Sequence, residues 1–357
     1  MSSHAVQPAP LRPNLMPITP SSWPHKETGH VFDLVLGHQP AVLSLATFPK
    51  LMHLGAGREY EGMPCLVVDR ERKKVYFDTS DPGRVEAGLT AFYEHYMADD
   101  VEHFAITEGA SPGLYELLDR LRDYDWSGRS IMLTLNGPIS FGMRTTDEQD
   151  KPIFYNEAFR DVVVKTLIMK ARWLYAQTTQ AAPGSSVMLR FTEPLLSLYG
   201  TSFASLPRQD VMDCLNPCLK AIPGVGAVHC CANIDWPLLM DTEVDVIDFD
   251  AFEFADKLCL YPKELQDYLD RGGMLAWGLV PSNNDKISGE TVESLLARFD
   301  RGLAAWEAHG LRREQVLASS YIISSCSLAT MTEELAERAF NYTHEVSARL
   351  RAQYLVG

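Results

Sequence analysis

Residues 224 to 236, GVGAVHCCANIDW, end a short run of small and β-branched residues on a histidine and two adjacent cysteines. Side chains alternate faces along an extended strand, so His229 and Cys231 share one face and Cys230 points the other way. Two further strand-like runs end on groups of the same kind. SSYIISSC closes on Cys326, and VDVIDF is followed at once by Asp250, with Glu253 three residues on. Thiolate, imidazole and carboxylate oxygen gathered in one place are the donor mix that zinc favours. The expected metal centre is His229, Cys231 and Cys326, with Asp250 as fourth ligand and Glu253 as the alternative to it. Cys214 and Cys218, together on a helix-like stretch, and the isolated Cys65 and Cys259 read as packing residues.

A zinc bound by two thiolates, an imidazole and a carboxylate carries net negative charge. Such a site activates water poorly. It would instead hold an incoming thiol as its thiolate while leaving the sulfur nucleophilic. The chemistry suggested is alkyl transfer to a thiol.

These residues need elements that bring distant strand ends together. Eight short apolar runs occur: 41–48, 102–107, 130–137, 186–193, 226–231, 244–249, 273–280 and 319–326. Between most of them lie longer stretches with apolar residues at helical spacing. Strands alternating with helices imply parallel pairing through crossovers, and eight such units predict an α/β (β/α)8 TIM barrel. An open doubly wound sheet is the alternative. In a barrel the chemistry collects at the C-terminal strand ends. Here those ends carry Glu108, Asn136, Glu193, His229, Cys231, Asp250 and Cys326. PCLVVDRERKKVYFD (64–78) reads as a β-hairpin inserted after strand one. The first 24 residues hold six prolines, and proline fixes φ and donates no hydrogen bond, so an extended N-terminal arm is expected. The expected organisation is an arm over residues 1–30 and a single catalytic domain over 31–357.

Composition narrows the function classes. There are 47 acidic against 32 basic residues, a formal net charge of −15, which opposes nucleic-acid binding. No stretch approaches the length of a membrane-spanning helix. The N-terminus lacks a secretory pattern, and seven cysteines do not suit a disulfide framework. The reading is a cytoplasmic enzyme. A homo-oligomer is allowed by the sequence.

HCC, DVIDFD and ISSCSL, in this order, resemble the catalytic C-terminal barrel of the cobalamin-independent methionine synthases, within the uroporphyrinogen-decarboxylase-like superfamily. The resemblance covers roughly residues 35 to 350, and its length is that of the short core enzymes. LATFPK is similar to the strand-one loop whose backbone holds the carboxylate of homocysteine, which implies that role for Ala46 and Thr47. AITEGAS is similar to the segment that puts a glutamate on the substrate ammonium, which implies Glu108. LNGPIS, with Asn136, resembles the motif after strand three. RFTEPLL resembles an aspartate-glutamate-proline motif with Thr192 in the aspartate position, leaving Glu193 to compensate. The implied reaction is methyl transfer to homocysteine at zinc.

Where the long enzymes of that family place a histidine acid, this chain has Gly278. Methyl transfer from methyltetrahydrofolate needs a proton for the departing nitrogen. Transfer from methylcobalamin needs none, because cobalt(I) leaves with the electron pair. The expected donor is therefore a methylated corrinoid carried by a partner protein. His25 and His53 are the histidines that could fold over the site and change this. The alternatives are a methyltransferase serving another thiol, of coenzyme M type, a uroporphyrinogen-decarboxylase-like lyase, and a non-catalytic zinc-binding barrel. The lyase would need many basic residues at the mouth, and only Lys50 and Arg58 stand near strand one.

Overall fold

The structure is a computed structural model that describes residues 12–51 and 57–355. Ten strands occur among the described residues: β1 (Val42–Ser44), β2 (Leu66–Asp69), β3 (Lys74–Phe77), β4 (Ser130–Asn136), β5 (Thr146–Asp147), β6 (Ser186–Thr192), β7 (Val225–Cys230), β8 (Val246–Phe249), β9 (Met274–Val280) and β10 (Ser320–Ser324). Seven form one curled parallel sheet in the order β1-β4-β6-β7-β8-β9-β10. Helices connect the successive strands from β4 onward, giving an α/β, TIM-barrel-like architecture. The expected hairpin is present as the antiparallel pair β2-β3. It gains a short third strand, β5, parallel to β3.

The run 102–107 is not a strand. Asp100 accepts a hydrogen bond from the His103 N–H and turns the chain into a 3-10 helix, Val101–Phe104. The backbone groups that a sheet would have paired go to side chains instead. Lys170 Nζ donates to the Phe104 carbonyl at 3.1 Å, the Tyr115 hydroxyl to the Ile106 carbonyl at 2.8 Å, and the Thr107 N–H to Glu61 at 3.0 Å. Phe104 and Ile106 are fully buried all the same. Their hydrophobicity, which made the run look like a strand, is spent on helix packing.

The N-terminal segment lies along the open side of the sheet. Ile18 N–H donates to the Ile322 carbonyl at 2.9 Å, and the Thr19 N–H to the Val42 carbonyl at 3.2 Å. Parallel bridges join Pro17 to Ile322 and Ile18 to Val42. The segment thus touches both edge strands, β10 and β1. Its prolines cannot donate, but the bonding positions between them still can. Its own Leu15, Ile18 and Trp23 are buried.

Two apolar layers result. The larger fills the space between sheet and helices and includes the packed rings of Phe249, Trp277 and Trp306, the last two with centroids 4.5 Å apart. The smaller lies inside the curl of the sheet: Ile18, Val42, Met132, Met188, Ala227, Val246, Ala276, Tyr321 and Ile323. Each sheet strand sends one or two side chains to it. On four of these strands the next residue on the same face, two positions further on, is Thr134, Arg190, His229 or Asp248. The apolar floor is therefore followed by a polar layer at the C-terminal end of the sheet.

Candidate metal centre and cavity

Register decides which side chains meet in that layer. β6, β7 and β8 pair so that Thr192, His229 and Asp248 stand level. His229 is 6% exposed and Asp248 1%. His229 Nδ1 lies 3.0 Å from Asp248 Oδ2. Arg190, one layer below, donates from Nη1 to the same oxygen at 2.7 Å and reaches the Ser21 hydroxyl through Nη2 at 2.5 Å. With Nδ1 facing a carboxylate, Nε2 of His229 is the nitrogen left for a metal, the usual support of a metal-ligating imidazole.

Cys231 follows the end of β7, and Cys326 follows the end of β10. Between Ile323 and Ser324 the register of β10 on β9 shifts, an irregularity of the kind that re-aims the side chains after it. Gly278 makes room for this. A Cβ on it would stand 2.6 Å from the Phe249 carbonyl oxygen and 2.8 Å from Ser325 Cα. The result is that one ligand atom each of His229, Cys231 and Cys326 falls within 4.8 Å of the other two. Cys230 points away into the apolar layer, fully buried, and burial pushes its thiol up to about 12.

The electrostatics suit a soft cation. A hydrogen bond from Cys231 and the neighbouring His229 imidazole together outweigh burial and bring the Cys326 thiol well below its ordinary value. Cys231, the proton donor in that contact and itself half-buried, is pushed up. Burial alone would lower His229; the carboxylate of Asp248 and the Cys326 sulfur outweigh it and raise the ring to about 9. Burial would likewise raise Asp248, but His229 and Arg190 hold it below the ordinary carboxylate value. The imidazolium and thiol protons are those a divalent cation would displace. The donor set fits zinc.

The other expected site residues fall into two groups. Thr47 and Asn136 join the three donors in the wall of a cavity of about 410 Å³. Ala46, Glu108, Glu193, Asp250 and Glu253 do not line it. Ala46 is buried behind Thr47. Glu108 is exposed in the turn after the 3-10 helix. Glu193 is wholly buried, and its two oxygens accept from the Ile139 and Ser140 N–H groups at 2.9 and 2.7 Å. Burial still raises it to about 7. Asp250 caps the helix Ala251–Leu258 by accepting from the Glu253 N–H at 3.0 Å. Its carboxyl is raised to about 7, chiefly by burial and with a contribution from Cys326. Glu253 pairs with Lys286 at 2.6 Å.

Asp248, Arg190, Glu59 and Arg144 are site residues the sequence reading missed. Arg58, Arg144 and Arg190 all stand in the cavity wall, whereas Lys50 does not. Arg58 is paired with Glu59 at 3.2 Å and Arg190 with Asp248. Arg144 donates to the side-chain oxygen of Asn136 at 3.1 Å and has no carboxylate partner among the described residues. His25 does not line the cavity and instead stands against Glu337, and His53 lies outside the described residues.

No family model matches the sequence, and no curated protein does. Solved structures match in fold. One, from Listeria monocytogenes and provisionally named a vitamin-B12-independent methionine synthase, aligns over 96% of this chain and 99% of its own with TM-score 0.55 and 12% identity. Another, from Bacteroides thetaiotaomicron and provisionally named an α-L-fucosidase, reaches only TM-score 0.32 at 9% identity over 97% and 98% of the two chains, too distant to bear on this one. Among the described residues no helix is long and apolar enough to cross a membrane. What this chain shares with the Listeria protein is a TIM-barrel-like α/β fold.

Proposed function

We propose that this chain is a (β/α)8-barrel methyltransferase that moves a methyl group onto a thiol at a zinc held by His229, Cys231 and Cys326. The observation that carries the reading is the convergence of these three donors, from two strand ends, in the wall of one cavity. The bridges from Pro17 and Ile18 to both sheet edges support a closed eight-stranded barrel, with the N-terminal segment as the missing stave. The name carried by the Listeria protein points to the same chemistry.

When bound, zinc would supply a Lewis acid that keeps an acceptor thiol in its thiolate form. Asp248 orients His229, Arg190 holds Asp248 in place, and the apolar floor keeps water from beneath the donors. Asp250 and Glu253 are engaged as a helix cap and an ion pair, so the acceptor sulfur would complete the donor set. With a methylated corrinoid as donor, the new sulfur–carbon bond would replace the carbon–cobalt bond, whose electron pair would stay on cobalt. No proton is needed for that departure. Among the described residues that line the cavity, His229 is the one histidine, which supports a corrinoid over methyltetrahydrofolate and a corrinoid-carrying partner protein as its source.

Homocysteine is the acceptor that the sequence resemblance implies. A second acceptor is favoured by the cavity wall. The two carboxylates assigned to its ammonium, Glu108 and Glu193, do not reach the cavity, and Glu59, which does, is neutralised by Arg58. Arg144 carries an unpaired positive charge there. That balance suits a small thiol with an anionic group and no ammonium. The test offers methylcobalamin, and separately methyltetrahydrofolate, anaerobically to the zinc-loaded chain with homocysteine or mercaptoethanesulfonate. Thiol methylation from methylcobalamin is expected. Methylation from methyltetrahydrofolate alone overturns the donor, preference for homocysteine overturns the second acceptor, and no methylated thiol in any arm overturns the function.

A further inference from the structure

A second cluster of metal-ligating groups lies away from the cavity. His25 belongs to the N-terminal segment, His30 to the first turn of the helix Thr28–Gly37, and Glu337 to the helix Glu333–Tyr354. Nε2 of His25 stands 3.0 Å from Glu337 Oε1, and Nε2 of His30 stands 2.9 Å from the same oxygen. One ligand atom from each falls within 4.8 Å of the others. The His25 side chain is 3% exposed, that of Glu337 32% and that of His30 57%, so one side of the group is buried and the other opens to water.

We propose that His25, His30 and Glu337 bind a second divalent transition-metal ion of zinc type, which ties the N-terminal segment to the last helix. Two imidazoles and a carboxylate with an open fourth position are a common zinc donor set. With zinc–ligand distances of about 2.0–2.2 Å, tetrahedral donors stand roughly 3.3–3.5 Å apart. The two nitrogen–oxygen contacts therefore need to open by only a few tenths of an ångström. Both rings bring Nε2 to the same Glu337 oxygen. Nδ1 of His25 is buried without a hydrogen-bond partner, and the Trp23 ring packs edge-on against the imidazole. The polar side of that ring is thus held solely at Nε2, where the ion would sit.

The position gives the ion a structural consequence. The segment that carries His25 also carries Pro17 and Ile18, which bridge both sheet edges, and Ser21 and Ser22, which stand in the cavity wall. Ser21 accepts from Arg190. An ion at His25 would fix the end of this segment and, through Ser21, one side of the cavity.

The test uses the full chain with Cys231→Ser and Cys326→Ser, which removes the cavity thiolates, so its outcome does not depend on the proposed function. After equilibration with zinc and dialysis, mass spectrometry is expected to find one zinc per chain. Adding His30→Ala, a change at an exposed ring, or the near-isosteric Glu337→Gln should remove it, with an affinity loss exceeding the roughly 10–100-fold that second-shell changes produce. Cobalt(II) in the double variant should give visible absorption without a thiolate charge-transfer band. Hydrogen exchange over residues 12–25 should slow on adding zinc. A double variant without bound zinc would overturn the proposal. So would zinc that survives both added substitutions but is lost with His95→Ala, which would place it at the other donor group, His95, Asp100 and His103.

Discussion

Replacing Asp248 with asparagine isolates the role of the carboxylate beneath the metal centre. One oxygen, Oδ2, stands 2.7 Å from Arg190 and 3.0 Å from His229. Asparagine keeps the shape and can present a carbonyl to one of the two, but it removes the negative charge between them. Breaking a buried ion pair costs about 3–5 kcal/mol. Arg190 retains the Ser21 hydroxyl, so about 3 kcal/mol is expected, read as a lower urea midpoint of the zinc-free protein. His229 also loses the group that orients it and raises its basicity. Second-shell changes of this kind lower metal affinity about 10–100-fold, or roughly 1.4–2.7 kcal/mol. Competition against a chelator of known zinc affinity measures this directly. An Asp248→Asn protein that is less stable but binds zinc as tightly as the parent would mean that Asp248 serves Arg190 alone, and the orientation argument would be refuted.

Cys326→Ser and Cys231→Ser should each abolish tight zinc binding at the cavity, while Cys230→Ser, whose thiol faces the apolar layer, should keep the zinc and lower stability by about 1–3 kcal/mol; metal analysis paired with denaturation separates the two behaviours. Gly278→Ala places a Cβ 2.6 Å from the Phe249 carbonyl, and should cost about 1–3 kcal/mol and perturb the spacing of Cys326 from the other donors, visible as weaker zinc binding. Lys170 is fully buried, and burial lowers its pKa from 10.5 to about 8. Its charged form is therefore penalised in the folded state: the penalty is fully present below about pH 8 and fades as pH rises toward 10.5, where the unfolded chain also loses the proton. Lys170→Met should stabilise the protein near pH 7 by about 2 kcal/mol after allowing for the lost bond to the Phe104 carbonyl, and the advantage should shrink by about pH 10; equal differences at both pH values would count against the buried-charge account.

Local periodicity carried a good deal of this molecule. Alternation along one strand was enough to put His229 and Cys231 on one face and Cys230 on the other, because that pattern depends only on neighbouring residues. The same locality made the β2-β3 hairpin and the long helices at 157–181, 208–219 and 292–308 legible from charge and apolar spacing. Relations between strands were decided only in three dimensions. Asp248 in β8 and Asp250 just after it are two apart and indistinguishable by alternation, yet pairing of β7 with β8 sets Asp248 beside His229, while the helix that follows takes Asp250 as its cap. Residues 102–107 have a strand's hydrophobicity, but Asp100, Lys170, Tyr115 and Glu61 supply partners for their backbone, so no sheet pairing is required. The proline-rich segment shows no strand pattern, yet two sheet edges flank it and accept the N–H groups of Leu15, Ile18 and Thr19. Glu108 and Glu193 sit where a strand-end count would place site carboxylates. Their direction was fixed by a turn and by two backbone N–H groups that only the folded chain brings near. Register, stagger and the competition for hydrogen-bond partners are non-local, and they determined which of the chemically suitable side chains share a cavity.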